Sequence, residues 1–115
     1  MEREKPAHQR LIARIRSEVT GHDVVLYMKG TPAEPQCGYS AAVVHVLDNL
    51  AISFTAVDVL TDPALRQAIK DYSSWPTLPQ LYIKGKFIGG CDITRELYAN
   101  GELQNILRAA GLLPD

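Results

Sequence analysis

A chain of 115 residues is long enough for one domain and short for two. Hydrophobic residues make up 46% and charged residues 22%, the composition of a globular protein that buries a core without disulfide or zinc cross-links. The formal net charge of −1 gives no electrostatic basis for binding nucleic acid or an anionic membrane, so we expect neither as a partner.

Apolar residues recur along the chain at helical spacing and in short β-branched runs that are typical of buried strands. In chain order, we expect a tail at residues 1–7, a helix ended by Thr20-Gly21, a strand at 23–28, a helix after Cys37, a strand at 54–59, a helix starting at Asp62-Pro63, strands at 80–83 and 87–88, and a helical region from Asp92 broken at Asn100-Gly101. The strand–helix–strand unit predicts parallel strands, and the later hairpin adds antiparallel ones. We therefore expect one domain over residues 1–115, an α/β protein with a thioredoxin-like fold, in which a central four-stranded mixed sheet is flanked by helices.

The cellular compartment is predicted from apolar runs and cysteine usage. No apolar run approaches the roughly 20 residues of a membrane span, and residues 1–6 lack the apolar stretch of a signal peptide. Two cysteines, Cys37 and Cys91, are too few for the disulfide framework of a secreted domain. We expect a cytoplasmic protein, in which a cysteine is more often catalytic, metal-binding or buried.

Cys37 is the residue to which the sequence most clearly assigns chemistry. It follows a loop rich in glycine and proline and starts a predicted helix, where backbone N–H groups and the helix dipole favour a thiolate. Lys29, at the start of that loop, adds a positive charge that favours the thiolate or holds a ligand carboxylate. We expect the thiol pKa to fall from about 8.5 toward or below neutrality. The placement in a loop argues against an inert buried cysteine.

The motif Cys37-Gly38-Tyr39-Ser40 has a serine where a two-cysteine disulfide oxidoreductase has its resolving thiol. Because a hydroxyl cannot close that disulfide, reduction of protein disulfides by an internal dithiol is disfavoured. Cys91 stays open as a distant partner for Cys37. We favour the alternative for Cys91, a small residue that offers its backbone in a ligand-binding loop.

Leu78-Pro79 directly precedes a predicted strand, where proline removes a ladder hydrogen bond. In a thioredoxin-like fold this position carries a cis peptide bond. Such a bend would expose the backbone of Leu78 beside Cys37, where an extended cysteine-containing peptide can pair with it. An ordinary trans turn proline is the alternative.

Three further groups of polar residues allow a ligand-binding and a simpler interpretation. Arg66 and Lys70, four apart on one predicted helix, either bind an anion or are solvated. Asp92 is expected to cap its helix and can also bind a ligand's ammonium group. The three histidines share no ligand spacing with either cysteine, which argues against a zinc site.

Four segments containing these residues form a set that runs in order along the chain. They are Tyr27-Met28-Lys29-Gly30-Thr31-Pro32, Pro35-Gln36-Cys37-Gly38-Tyr39-Ser40, Trp75-Pro76-Thr77-Leu78-Pro79-Gln80 and Ile88-Gly89-Gly90-Cys91-Asp92. Together they resemble the single-domain monothiol glutaredoxins of the Cys-Gly-Phe-Ser type, and the likeness runs from about Leu11 to Leu107. The sequence departs from that pattern at Tyr39, where Phe is usual, and at Leu78, where Phe or Val is commoner.

The resemblance implies a glutathione site. By motif position, Lys29 and Arg66 would bind the carboxylate at the glycine end of glutathione. The backbone of Thr77 and Leu78 would bind its cysteine portion. The backbone of Cys91 and the side chain of Asp92 would bind its γ-glutamyl end. Tyr39 would flank the bound thiol, and Cys37 would be the catalytic residue.

The resemblance also implies a shared 2Fe-2S cluster, with Cys37 as its metal ligand. Such a cluster normally takes four sulfur ligands, which two chains and two glutathione molecules would supply together. We therefore expect a homodimer with the cluster and a monomer without it. The implied partners are apo iron–sulfur client proteins and a BolA-type protein.

Two functions of different classes follow from this set. The first is a carrier that binds a cluster for assembly or transfer. The second is an enzyme, a glutathione-dependent thiol transferase, in which Cys37 takes glutathione from a mixed disulfide and a second glutathione regenerates it. We favour the carrier because the resemblance points to it and Ser40 removes the internal disulfide.

Overall fold

The computed structural model describes residues 6–114 and contains five helices and four strands within them. They are α1 (Pro6–Gly21), β1 (Val24–Met28), α2 (Gly38–Asn49), β2 (Thr55–Asp58), α3 (Pro63–Ser73), β3 (Gln80–Ile83), β4 (Lys86–Gly89), α4 (Cys91–Ala99) and α5 (Glu102–Ala109). Residues 1–5 of the predicted tail lie outside the described residues. The predicted tail also includes Pro6 and Ala7, but in the structure these two residues belong to α1.

The four strands form one mixed sheet in the order β2-β1-β3-β4. The pairing of β1 with β2 is parallel, while β1 with β3 and β3 with β4 pair antiparallel. A parallel pair joined through a helix and extended by a hairpin is the predicted topology, so the thioredoxin-like α/β fold is confirmed. Among residues 6–114, no helix has both the length and the apolar sequence needed to span a bilayer.

Helices cover both faces of the sheet, which is why all five residues of β1 are buried. Leu26 and Met28 pack in the core cluster that includes residues of α2, α4 and α5. Val25 and Tyr27 point the other way, into the cluster formed with α1 and α3. The alternation follows from the two-residue period of a strand. It places the carboxyl end of β1, from which the Cys37 loop leaves, between two packed layers.

Local sequence signals set the start of α3 as expected. Asp62 is its N-cap, and the carboxylate accepts hydrogen bonds from the N–H groups of Ala64 at 3.1 Å and Leu65 at 3.2 Å. Pro63 follows at the first helical position, where its missing N–H costs nothing. The cap fixes the helix that carries Arg66 and Lys70.

The start of α4 differs from the prediction. The helix begins at Cys91 and its N-cap is Gly90, so Asp92 lies in the first turn and makes no cap hydrogen bond. The physical reason is tertiary: a Cβ atom at Gly90 would lie 3.2 Å from the Pro79 carbonyl oxygen and 3.3 Å from Trp75 Nε1. Glycine allows this close approach, and the helix starts there. The prediction that Asp92 caps the helix was wrong, although its charge near the helix N-terminus is still favourable.

The remaining differences are shifts of the element ends. The strand predicted at 23–28 begins one residue later, and the strand predicted at 54–59 is one residue shorter at each end. The strand predicted at 87–88 extends over Lys86–Gly89. The last helical region is broken as expected at Asn100–Gly101, where Gly101 takes a φ of +85°, and it forms two helices.

Candidate functional site

The loop between β1 and α2 is closed on itself by backbone hydrogen bonds. Gln36 N–H donates to the Lys29 carbonyl at 2.9 Å, which ties the end of the loop to its beginning. Between them, the N–H of Glu34 donates to the Thr31 carbonyl at 3.0 Å, and the N–H of Thr31 donates back at 3.3 Å. The loop therefore has a defined shape, and it delivers Cys37 to the N-cap position of α2.

Gly30 is the tightest point of this loop. Its φ is +89°, and a Cβ atom there would lie 2.6 Å from both the Gln36 nitrogen and the Glu34 carbonyl oxygen. Its N–H donates to Asp58 Oδ1 at 3.0 Å, and the same oxygen accepts from Leu60 N–H at 2.9 Å. The end of β2 thus anchors the loop to the sheet.

Cys37 lies where the backbone favours a thiolate. The backbone N–H of Ser40 contributes most to lowering the pKa of its thiol, with smaller contributions from the N–H of Tyr39 and the charge of Lys29, while partial burial opposes them. These N–H groups are the unpaired donors of the first turn of α2. The direction agrees with the prediction, but the backbone contributes more than Lys29.

Ser40 has a structural role that the motif alone does not reveal. Its side chain is fully buried, and its Oγ accepts a hydrogen bond from Lys29 N–H at 3.1 Å. The hydroxyl also helps to lower the pKa of the Cys37 thiol. Ser40 therefore joins the end of β1 to the start of α2 on either side of the reactive cysteine.

Cys91 has the opposite character. Its side chain is 7% exposed, and burial raises the pKa of its thiol, an effect that Arg95 partly offsets. Both cysteines are free thiols in the structure. A buried, protonated thiol fits the favoured interpretation of Cys91 as a small residue in a ligand-binding loop.

The opposite pKa shifts predict different alkylation profiles for the two thiols. A lowered pKa means that Cys37 becomes thiolate at lower pH than a free cysteine, so we expect its iodoacetamide labelling to reach half-maximal rate below about pH 8.5. Cys91 is expected to react more slowly and only at higher pH, because burial raises its pKa and limits access. The rates are measured separately in Cys91→Ser and Cys37→Ser. A Cys37 midpoint at or above that of free cysteine would contradict the assignment.

A cavity opens next to the Cys37 thiol. Its volume of about 540 Å³ is within the ~300–1,000 Å³ range of small-ligand pockets. It brings together residues from the end of β1, from α3, from the segment before β3 and from the start of α4. All six residues expected to contact glutathione line it: Lys29, Arg66, Thr77, Leu78, Cys91 and Asp92. Cys37 is not part of its lining, but Tyr39, whose side chain is 63% exposed, is. The cavity thus lies alongside the thiol.

The charges around the cavity are unevenly distributed. Lys29, Arg66 and Lys70 line it with positive charge, and no ion pair joins them to an acidic side chain of the described residues. Arg66 Nε is buried and has no hydrogen-bond partner within residues 6–114. Asp92, from α4, supplies a negative charge. A buried guanidinium N–H without a partner is costly unless a ligand satisfies it, so this part of the cavity suits an anionic group.

The segment before β3 presents backbone to the cavity. The Leu78–Pro79 peptide bond is cis, as predicted. Leu78 is 6% exposed, yet within the described part of the chain neither its N–H nor its carbonyl forms a hydrogen bond. Since buried backbone groups are normally paired, these two are available to an extended ligand.

Sequence reasoning missed or left open part of the cavity. It left Lys70 undecided and did not count Trp75 among the ligand-contacting residues, whereas both line the cavity, and Trp75 also packs against Phe87 with ring centroids 5.6 Å apart. The position of Trp75 inside the Trp-Pro-Thr-Leu-Pro segment was the available signal. As for metals, residues 6–114 contain no group of three or more His, Cys, Asp or Glu side chains placed to hold an ion.

Comparison with known proteins gives the family. A model described as glutaredoxin matches residues 24–88, more than half of the chain. The chain belongs to the glutaredoxin family. The match includes Lys29, the Cys37 loop, Arg66 and the segment before β3, so most of the site described above lies within it.

Relatives of this glutaredoxin identify it as the monothiol type. An uncharacterized monothiol glutaredoxin of Synechocystis is 54% identical over 98 residues, covering 85% of this chain and 92% of the relative. A chloroplastic monothiol glutaredoxin of rice is 57% identical over 94 residues, covering 82% of this chain and 56% of the longer rice protein. The solution structure of reduced, apo GrxS14 from poplar matches with a TM-score of 0.77 at 53% identity, covering 87% of this chain and 92% of that one.

Proposed function

We propose that this glutaredoxin binds glutathione in the cavity and carries a 2Fe-2S cluster between apo iron–sulfur proteins. The observation that carries the proposal is the contrast between its two thiols next to one charged cavity. Cys37 is partly exposed with a lowered pKa, while Cys91 is buried with a raised pKa. One chain therefore offers one thiolate suited to metal, and the cavity suits a ligand that brings another.

Glutathione has the charges and the backbone that the cavity calls for. Its glycine carboxylate matches the positive side formed by Lys29 and Arg66. Its cysteine portion is an extended peptide unit, which matches the unbonded backbone of Leu78. Its γ-glutamyl ammonium group matches the carboxylate of Asp92. A zwitterionic tripeptide with its thiol in the middle would then lie next to Cys37.

The donor set fits the cluster only if ligands come from outside one chain. Four sulfur ligands are needed, and a buried protonated thiol such as Cys91 is a poor one. Cys37 from each of two chains and the thiols of two glutathione molecules complete the set, so the loaded form would be a homodimer and the apo form a monomer. A ligand that diffuses away suits cargo that must be released, to a client or to a complex with a BolA-type protein.

The proposal is tested by anaerobic reconstitution with ferrous iron, sulfide and glutathione. We expect visible absorption bands and a doubling of the mass in solution, because the cluster joins two chains. The matched control replaces glutathione by S-methylglutathione, which keeps the charged groups but has no free thiol, and we expect neither change. Equal cluster yield with the methylated ligand, or without any ligand, would contradict glutathione as a cluster ligand.

The thiol transferase is the second candidate, and the lowered pKa of Cys37 favours it. The Cys37 thiolate would attack the glutathione sulfur of a mixed disulfide, forming a Cys37–glutathione disulfide and releasing the substrate thiolate. A second glutathione thiolate would attack that bond, yielding glutathione disulfide and the free Cys37 thiolate. Brisk turnover by a colourless monomer, with no cluster after reconstitution, would favour the enzyme over the carrier.

A further inference from the structure

Gln80 is a fully buried polar residue at the start of β3. All of its side-chain hydrogen bonds are internal: Nε2 donates to the carbonyl oxygens of Trp75 and Thr77, both at 3.2 Å, and Oε1 accepts from the Tyr82 hydroxyl at 3.1 Å. A buried amide is tolerated only when it is bonded in this way. Its orientation is fixed as well, because a flipped amide would place Oε1 against two carbonyl oxygens.

The two carbonyl groups held by Gln80 belong to the segment that forms one wall of the cavity. Trp75, Thr77 and Leu78 line the cavity, whereas Gln80 does not. Gln80 therefore contacts this segment from the side of the core, and a ligand in the cavity would contact it from the other side. The unbonded backbone of Leu78 lies in the same segment, two residues before Gln80.

We propose that Gln80 is a positioning residue for glutathione: it holds residues 75–78 in the conformation that offers the Leu78 backbone to the ligand. The inference rests on the proposed glutathione site. Because Gln80 does not line the cavity, it acts indirectly: it raises the fraction of molecules in which residues 75–78 have the binding conformation. When only a fraction of molecules is competent to bind, the apparent Kd rises by the inverse of that fraction. Ordering the segment before binding removes that loss of affinity.

Tyr82 is the second part of the same device. Its ring is 1% exposed and packs at an angle against Tyr27 and Phe87, so the hydroxyl is held in place. Because that hydroxyl donates to Gln80 Oε1, it adds to the restraint that keeps Nε2 directed to the loop. Removal of the hydroxyl is therefore expected to weaken the effect of Gln80 without deleting its donors.

The test compares Gln80→Met with a matched control, Tyr27→Phe. Methionine keeps much of the shape but removes the amide donor from both loop carbonyls, which leaves the Thr77 carbonyl without a donor and the Trp75 carbonyl with only the Ser73 hydroxyl at 3.5 Å. Tyr27→Phe removes another buried hydroxyl from the same core layer, one that is bonded to Glu18 and not to the loop, and it keeps the ring that packs against Tyr82. Titration calorimetry with reduced glutathione is expected to give a roughly tenfold weaker Kd for Gln80→Met, as for a competent fraction near one tenth. Tyr27→Phe is expected to bind within about twofold of the wild type, although both lose thermal stability.

The outcomes separate the two levels of the proposal. If the wild type binds glutathione and folded Gln80→Met binds equally well, the positioning role is wrong while the site stands. If the wild type itself fails to bind, the glutathione site is wrong, and the inference falls with it. If Gln80→Met does not fold, Tyr82→Phe decides: we expect a roughly threefold weaker Kd, and an unchanged Kd would overturn the inference.

Discussion

Cys37→Ser is expected to lose cluster binding completely, while Cys91→Ser keeps it. The reason is the chemistry of the two positions: Cys37 is a partly exposed thiol stabilised as thiolate by the first turn of α2, and Cys91 is buried with a raised pKa. A serine hydroxyl has neither the acidity nor the softness of a thiolate toward iron. The measurement is visible absorption and bound iron per chain after anaerobic reconstitution with glutathione.

The pair of variants is its own control for damage to the fold. Both substitutions replace sulfur by oxygen at the start of a helix, so the variants can be compared by circular dichroism and by glutathione affinity. We expect Cys37→Ser to retain glutathione binding, because Cys37 does not line the cavity. Loss of the cluster in Cys91→Ser, with glutathione still bound, would mean that Cys91 is a ligand and that its assignment here is wrong.

Gly30→Ala is expected to lower the free energy of unfolding strongly, although it adds only one methyl group. The left-handed φ of +89° costs about 1–2 kcal/mol for a residue with a Cβ atom. The new methyl group would also lie 2.6 Å from two backbone atoms, which cannot move aside as a flexible side chain does, and relieving that overlap costs roughly 1–3 kcal/mol more. The free energy of unfolding is measured by urea denaturation.

Gly38→Ala is the control, since it lies in the same region of the chain. A Cβ atom at Gly38 meets nothing within 4 Å, and the residue is the first of α2. Alanine is favoured over glycine in a helix by up to about 1 kcal/mol, so this variant is expected to be neutral or slightly stabilised. If both variants unfold at the same urea concentration, the loop does not depend on the conformation of Gly30.

The parts of the fold that were predicted correctly are those set by local chemistry. Asp62 followed by Pro63 predicts a helix start from adjacent residues alone, and α3 starts there. The sheet followed from short β-branched runs and one hairpin, because alternation and turn residues are read from neighbours in sequence. The cis bond before Pro79 was predicted through the fold type.

The parts that were missed depend on contacts between distant segments. Asp92 had every local property of a cap, but the close approach of Gly90 to Pro79 and Trp75 moved the helix start. The available signal for Gln80 was a polar side chain in a strand of otherwise apolar residues, and its partners become visible only once the turn of the loop is known.

The candidate site shows the same division between local and distant information. Helix placement predicted the lowered pKa of the Cys37 thiol, because the backbone N–H donors are its neighbours in sequence. The grouping of Lys29 with Arg66 and Asp92 came from the resemblance, and no spacing in the chain would have given it. The cavity lining then showed that these residues meet.

The hydrogen bond from Lys29 N–H to Ser40 Oγ gives the motif serine a second meaning. A thiol sulfur accepts only weak and long hydrogen bonds, whereas a hydroxyl oxygen accepts a short one in a fully buried position. A serine at this position of the helix can therefore bind the end of the strand by a hydrogen bond, whereas a cysteine there can form an internal disulfide. Neither residue serves both roles equally well. In this chain the position joins strand to helix, so the motif itself supplies Cys37 with no second sulfur.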